Sequence, residues 1–325
     1  MDIIDKYLRY VRDVRRYSPR TSDIYKYVLR NFERVMKTGD DIVSFLNPSL
    51  IRTYEVKLLD AEVPCSPATV NQHLSVLSSF CRFLIKEGLL KSNPVNLVPK
   101  PKVPKNLPRY FRKEAMAEYF RISDIYASEE FLEMLLSDIR DSKVKELYQK
   151  RLARLIISML YSLGLRRAEL ISLDISSVDF GRKVVKVCGK GDKTREIPIV
   201  DALCQEILLY LKAVEALVEG ERSLKEPLLI TYTGRRLYPA YVDRVVKSEL
   251  SAEYGITGRK SPHVLRHSLA TELLNGDADL NSIKELLGHS SLAATQVYTH
   301  NSIARLKVIY KQAHPRAKNG GKHGD

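Results

Sequence analysis

His263-Val-Leu-Arg266-His267-Ser-Leu-Ala-Thr271 and, after it, Leu286-Leu-Gly288-His289-Ser-Ser-Leu-Ala-Ala-Thr-Gln-Val-Tyr298-Thr-His300 carry most of the chemistry in this sequence of 325 residues. The first segment reads as the start of a helix near residues 263–275, which puts His263 and Arg266 on one face at i,i+3. His263 and His267 also have the i,i+4 spacing of a zinc pair. That chemistry needs a glutamate general base at the second position, where this chain has Val264, so a zinc protease is excluded. Before the second segment, Asp279 can cap a helix in which Leu280, Ile283, Leu286 and Leu287 are apolar. Gly288 stops it, so His289 follows a helix end.

Working back towards the N-terminus, residues 153–163 and 168–173 read as helices flanking Gly164-Leu165-Arg166. From Val178 the period changes. Val184, Val185 and Val187, then Ile197 and Ile199, form β-type runs around Gly189-Lys190-Gly191-Asp192. Gly-Lys190-Gly-Asp-Lys-Thr194 has the ending of a phosphate loop. It lacks the earlier glycine and joins two strands instead of opening a helix, so that reading fails. Helices resume at 201–218 and near 239–250. Residues 110–313 therefore read as a mainly helical module with a small antiparallel sheet.

Arg166, Lys190, His263, Arg266, His289 and Tyr298 remain as a set of cationic or proton-transferring side chains at turns and helix ends. Two arginines with two histidines suit the non-bridging oxygens of a phosphodiester, whose transition state gains negative charge that planar guanidinium groups can grip. A tyrosine can then act as nucleophile. The carboxylate clusters that hold catalytic magnesium are not evident, so a reaction without metal or other cofactor fits better than two-metal hydrolysis.

The first 90 residues read as four helices: 2–16, one from a cap at Thr21 or Ser22 to Met36, one opened by Asn47-Pro48, and one opened by Ser66-Pro67. In the last, Val70, Leu74, Leu77, Cys81 and Leu84 make one apolar stripe. Pro94, Pro99, Pro101, Pro104 and Pro108 follow, with Lys100, Lys102 and Lys105 among them. That density of proline predicts an extended, semi-rigid basic strap. The expected division is a helical module at 1–92, a linker at 93–109, a second module at 110–313 and a flexible tail at 314–325. Ile303, Leu306, Ile309 and Tyr310 predict a short amphipathic helix over 302–313.

Charge and composition narrow the class. The 44% of apolar and 28% of charged residues are those of a globular chain, and no run reaches the roughly 18 apolar residues of a membrane span. Four dispersed cysteines, Cys65, Cys81, Cys188 and Cys204, argue against a disulfide framework and for a reducing cytoplasm. The net charge of +14 is divided: residues 1–113 carry 21 Lys/Arg against 11 Asp/Glu, residues 114–150 carry 5 against 9, and residues 151–325 carry 27 against 19. Two electropositive modules separated by an acidic insert point to a nucleic-acid partner.

Leu163-Gly-Leu-Arg166-Arg-Ala-Glu169-Leu, Gly189-Lys190-Gly191 and the two opening segments resemble the tyrosine recombinases in order and spacing. His73-Leu-Ser-Val-Leu-Ser-Ser-Phe-Cys-Arg-Phe-Leu, Ser92-Asn-Pro and Lys311-Gln-Ala-His-Pro-Arg-Ala317 resemble Xer-type members. The resemblance implies a helical core-binding (DNA-binding) domain at 1–92 and a catalytic domain at 110–313 that close as a clamp around double-stranded DNA. It implies a 3′-phosphotyrosyl link at Tyr298, a phosphate held by Arg166, Arg266 and His289, and Lys190 as acid for the 5′-oxygen. His263 would be a base or second donor, and Glu169 would support the site. It further implies a tetramer on DNA, of this chain alone or with a related recombinase, and no need of ATP. The acidic segment within 120–150 is longer than the family's usual connection. A non-catalytic DNA-binding accessory protein of the same fold would predict decay at one of the six positions, and all six are intact. A type IB topoisomerase would share the chemistry without site preference or tetramer.

Overall fold

The computed structural model describes residues 2–39, 41–104, 110–137, 143–189, 193–218, 220–250, 256, 258–276 and 279–288. The chain divides into two compact units, Met1–Asn106 and Leu107–Asp325. Lys105, Lys190, His289, Tyr298, the expected helix at 302–313 and the expected tail lie outside the described residues. Among the described residues no helix is long and apolar enough to cross a membrane.

The first unit is built from α1 (Ile3–Arg9), α2 (Pro19–Met36), α3 (Pro48–Leu59) and α4 (Pro67–Lys86). The chain leaves α1 through a π-helical turn, Tyr10–Val14, so the expected single helix over 2–16 changes its winding midway. One device starts the other three helices: a small polar residue followed by proline. The side-chain oxygens of Ser18, Asn47 and Ser66 accept from the N–H groups of Thr21, Leu50 and Thr69 at 3.2, 2.9 and 3.2 Å. Proline then occupies the first helical position, where its missing N–H leaves no bond unmade. This corrects the expected start of α2. Ser18 is the cap, and the helix begins at Pro19.

All five residues of the α4 stripe are buried, and they meet Ile4, Leu29, Phe32, Ile51 and Tyr54 in the first core. The proline-rich segment departs from expectation at its start. Pro94–Leu97 is a 3-10 turn with Pro94 and Val95 buried. Asn93 accepts from the N–H of Val95 and donates to Ser78 Oγ at 2.8 Å. An apolar pair with a polar clip packs more favourably here than an extended strap would.

The second unit contains α5 (Lys113–Ile122), α6 (Glu129–Ser137), α7 (Val144–Leu163), α8 (Arg167–Ser172), β1 (Val178–Asp179), β2 (Val184–Cys188), β3 (Thr194–Pro198), α9 (Asp201–Leu217), α10 (Pro239–Glu249), α11 (Pro262–Asn275) and α12 (Leu280–Leu287). The sheet is antiparallel in the order β1-β2-β3, with Val185 opposite Ile197 and Val187 opposite Arg195. Helix α7 is buried on every face from Arg151 to Leu163 and packs against α9, α10 and α11, which makes it the axis of this unit. The acidic insert supplies α6. Its Phe131, Leu132 and Leu135 are buried and Leu136 packs beside them, so the insert is part of the second unit's core.

Candidate active site

Helix α7 ends at Gly164 in the left-handed conformation (φ +58°), and the chain turns at once into α8. A Cβ on Gly164 would stand 2.6 Å from Leu287 Cδ2 and 3.0 Å from Leu269 Cδ2. Only glycine accepts both the backbone angle and the contact with α11 and α12. Arg166 follows as the N-cap of α8. Its backbone N–H donates to Glu169 Oε2 at 2.9 Å and its Nη1 to Glu169 Oε1 at 2.6 Å. The carboxylate of Glu169 is thus drawn back over the start of its own helix, where the helix dipole also favours it.

Two more arginines converge there. Arg195 on β3 donates from Nη1 and Nη2 to the two oxygens of Glu169, at 3.0 and 2.8 Å. Arg266 on α11 brings Nη1 to 4.0 Å from Glu169 Oε2. Each of the three also reaches one carbonyl at the C-terminal end of α12. Arg195 Nε donates to Leu286 O at 2.9 Å, Arg266 Nη2 to Leu287 O, and Arg166 Nη2 to Gly288 O at 2.8 Å. A helix leaves its last carbonyls without intrahelical partners and carries partial negative charge at that end. Three guanidinium groups from three distant segments satisfy three successive carbonyls just before His289. Arg266 Nη1 also holds Gly164 O at 2.6 Å, so the α7–α8 turn and the end of α12 share one clamp.

Burial separates the roles. The side chains of Glu169, Arg195 and Arg266 are 4%, 6% and 8% exposed, whereas that of Arg166 is 33% exposed. Burial raises the Glu169 carboxyl, but the hydrogen bonds and charge of Arg195, with the donors of Arg166, outweigh it and hold it below the usual carboxylate range. Burial, with repulsion from Arg166 and Arg195, brings Arg266 down to about 10, which leaves it cationic at neutral pH. Three positive charges around one buried carboxylate give a site suited to an anion.

The structure brings Arg166 and Arg266 together at Glu169. His263 lies on the exposed side of the first turn of α11, one turn before the buried Arg266. Lys190, His289 and Tyr298 are not among the described residues, but the residues before two of them are. Gly288 stops α12 with φ +63°. A Cβ on Gly189 would lie 3.7 Å from both Arg195 Nη1 and Glu169 Oε1. Sequence reasoning missed Arg195. Its signal is strand alternation: Arg195 and Ile197 share the inward face of β3, and a guanidinium at an inward position needs a buried acid.

Residues 131–305 match the phage integrase family, and residues 4–88 match the phage integrase N-terminal SAM-like domain. The chain is 33% identical over 329 residues to the tyrosine recombinase XerC of Chlorobaculum parvum, covering 97% of this chain and 94% of that one. It is 34% identical over 319 residues to XerC of Myxococcus xanthus, with 97% and 98% covered. Among solved structures, the XerH site-specific recombinase in a post-cleavage complex with a palindromic difH substrate shares the fold, at a TM-score of 0.65 and 20% identity, over 95% of this chain and 83% of that one. With two domain matches and relatives aligned over 97% of its length, the chain belongs to the phage integrase family as a Xer-like tyrosine recombinase, a site-specific DNA strand transferase.

Proposed function

We propose that this recombinase cuts and rejoins double-stranded DNA through a 3′-phosphotyrosyl link on Tyr298. The single observation that supports this reading best is the convergence of Arg166 and Arg266 on Glu169 at the end of α12. Arg166 and Arg266 hold the non-bridging oxygens of the scissile phosphate as charge builds on them. His289 adds a hydrogen bond, and His263 serves as base or second donor. Tyr298 attacks phosphorus. The bond to the 5′-oxygen breaks, and Lys190 gives that oxygen its proton. The 5′-hydroxyl of another strand then reverses the step and frees the tyrosine. One phosphodiester replaces another, so neither ATP nor metal is required.

Both the helical first unit and the catalytic unit bind the duplex, and four protomers, of this chain alone or with a related recombinase, assemble on two sites. The two basic regions support a DNA partner, and affinity falls steeply with salt as counterions are released. Neutralising Lys100, Lys102 and Lys105 together weakens binding to all sequences alike and flattens that slope.

Covalent capture tests the whole reading. The protein is incubated with a nicked random-duplex library, and DNA that stays bound after denaturation is sequenced. Wild-type protein is expected to enrich one site, while Tyr298→Phe binds that site and forms no adduct. An adduct with Tyr298→Phe overturns the nucleophile. A 5′-bridging sulfur, which leaves without an acid, is expected to rescue Lys190→Ala. Failure to rescue moves Lys190 to binding.

A further inference from the structure

Arg195 has no role in the chemistry above, yet it sits at the centre of the site. Its guanidinium is 6% exposed and spends Nε on Leu286 O and both terminal nitrogens on Glu169. All three of its guanidinium nitrogens are thus engaged on protein oxygens. What it controls is Glu169. Arg166 already donates to both carboxylate oxygens, through Nη1 and its backbone N–H. Arg266 Nη1 stands 4.0 Å from Oε2, close enough for strong attraction and too far for a hydrogen bond. With Arg195 bridging the carboxylate, Arg266 instead holds Gly164 O and Leu287 O.

We infer that Arg195 is a positioning residue for strand cleavage: by bridging both oxygens of Glu169 it keeps that carboxylate from capturing Arg266, which stays directed at the phosphodiester. This rests on the clamp role of Arg266 proposed above. Without Arg195, Glu169 loses one of the two residues that donate to both its oxygens, and Arg266 is drawn across the remaining 4.0 Å. Gly288 fits the same arrangement, since a Cβ there would stand 3.1 Å from Arg195 Nη1 and 3.3 Å from its Cζ. The guanidinium therefore lies directly under the backbone that leads to His289.

The test is a double-mutant cycle on the nicked duplex recovered by covalent capture, read as single-turnover cleavage, with half-site affinity and urea midpoint measured alongside. Arg195→Gln is expected to slow cleavage about a hundredfold, as loss of one oxyanion donor does, with little change in half-site affinity. Adding Glu169→Gln removes the unbalanced carboxylate and is expected to restore about tenfold, a coupling that independent losses would not show. A merely structural Arg195 predicts that the double variant is no faster than the single, and that result overturns the inference. So does an undiminished rate in Arg195→Gln. Where Arg195→Gln fails to fold, Arg195→Lys replaces it: an ammonium meets one oxygen, and its deficit must shrink when Glu169→Gln is added. Arg266→Ala separates the two levels. If it cleaves normally, the clamp reading is at fault. If it is slow and the cycle shows no recovery, the Arg195 inference is at fault.

Discussion

Arg166 Nη2 donates to the carbonyl of Gly288 at 2.8 Å, which joins the first residue of the α8 cap to the last residue before His289. A residue expected to touch the phosphate thereby also fixes the start of the segment expected to bring His289 and Tyr298. Catalysis by positioning requires such rigid links, because small displacements of reacting groups are costly.

Lysine is not expected to replace either clamp arginine. Arg266 directs Nη1 and Nη2 to two different carbonyls, and Arg166 does the same with Glu169 and Gly288. An ammonium is a compact charge without that planar fork. Each Arg→Lys variant is expected to slow single-turnover cleavage by at least about a hundredfold. Near-wild-type rates in both would remove the clamp.

Gly164→Ala is expected to damage fold and site together. The left-handed backbone costs a residue with a Cβ about 1–2 kcal/mol. The 2.6 Å approach to Leu287 Cδ2 adds overpacking, about 1–3 kcal/mol more. Gly164 O is also a ligand of Arg266, so cleavage falls further than the loss of folded protein alone predicts. The checks are the urea midpoint and the rate per folded molecule. An unchanged midpoint would contradict the close packing of this turn on α12.

Within the second core, Arg154 and Glu206 form an ion pair at 3.2 Å with side chains 1% and 4% exposed. Ser158 Oγ donates to Glu206 at 2.8 Å, and Arg154 Nε donates to Ser123 O at 3.2 Å. Glu206→Leu removes the buried carboxylate beside Arg154, leaves Asp124 Oδ1 at 3.8 Å, and is expected to cost about 3 kcal/mol. Replacing both residues, as Arg154→Met with Glu206→Leu, is expected to cost far less. Equal losses in the single and double variants, measured by denaturant unfolding, would show that the pair is not coupled.

Local signals in the sequence read well because their physics is local. Asn47-Pro48, Ser66-Pro67 and Asp279 cap helices where a short polar side chain can meet an N–H three residues on. The β2–β3 hairpin follows from alternation, and Arg166 and Arg266 stand out as arginines beside turns and helix starts. The grouping of Arg166, Arg195 and Arg266 around one carboxylate does not show in this way. These residues lie on separate segments, and their convergence depends on the packing of α7, β3, α11 and α12. Ser18 was masked by Thr21 and Ser22, equally good caps in isolation. Only the position of Pro19 in the folded chain decides among them.

Tyr54 Oη donates to Asn31 Oδ1 at 2.7 Å. A phenol has one hydrogen, so the 2.8 Å bond between Tyr54 Oη and His73 Nδ1 is donated by His73. His73 is 3% exposed, and burial lowers its pKa. Burial also pushes the Tyr54 phenol far up, so the imidazole is the member of this trio that takes up a proton as pH falls. In the unfolded chain an imidazole binds a proton near pH 6.5, while in the folded unit it does so only at lower pH. Stability rises with pH wherever the unfolded state holds more protons. The contribution of His73 is therefore complete above about pH 6.5 and is lost as pH falls through the folded value. In the whole chain, the urea midpoint at which Cys81, fully buried in α4, becomes reactive reports on this unit. That midpoint is expected to fall between pH 7.5 and pH 5.5, about 6.5 being the ordinary imidazole value. His73→Asn keeps a donor near Nδ1 and cannot take up a proton, so it is expected to flatten the fall. The same pH slope in both proteins would assign the acid loss to other groups.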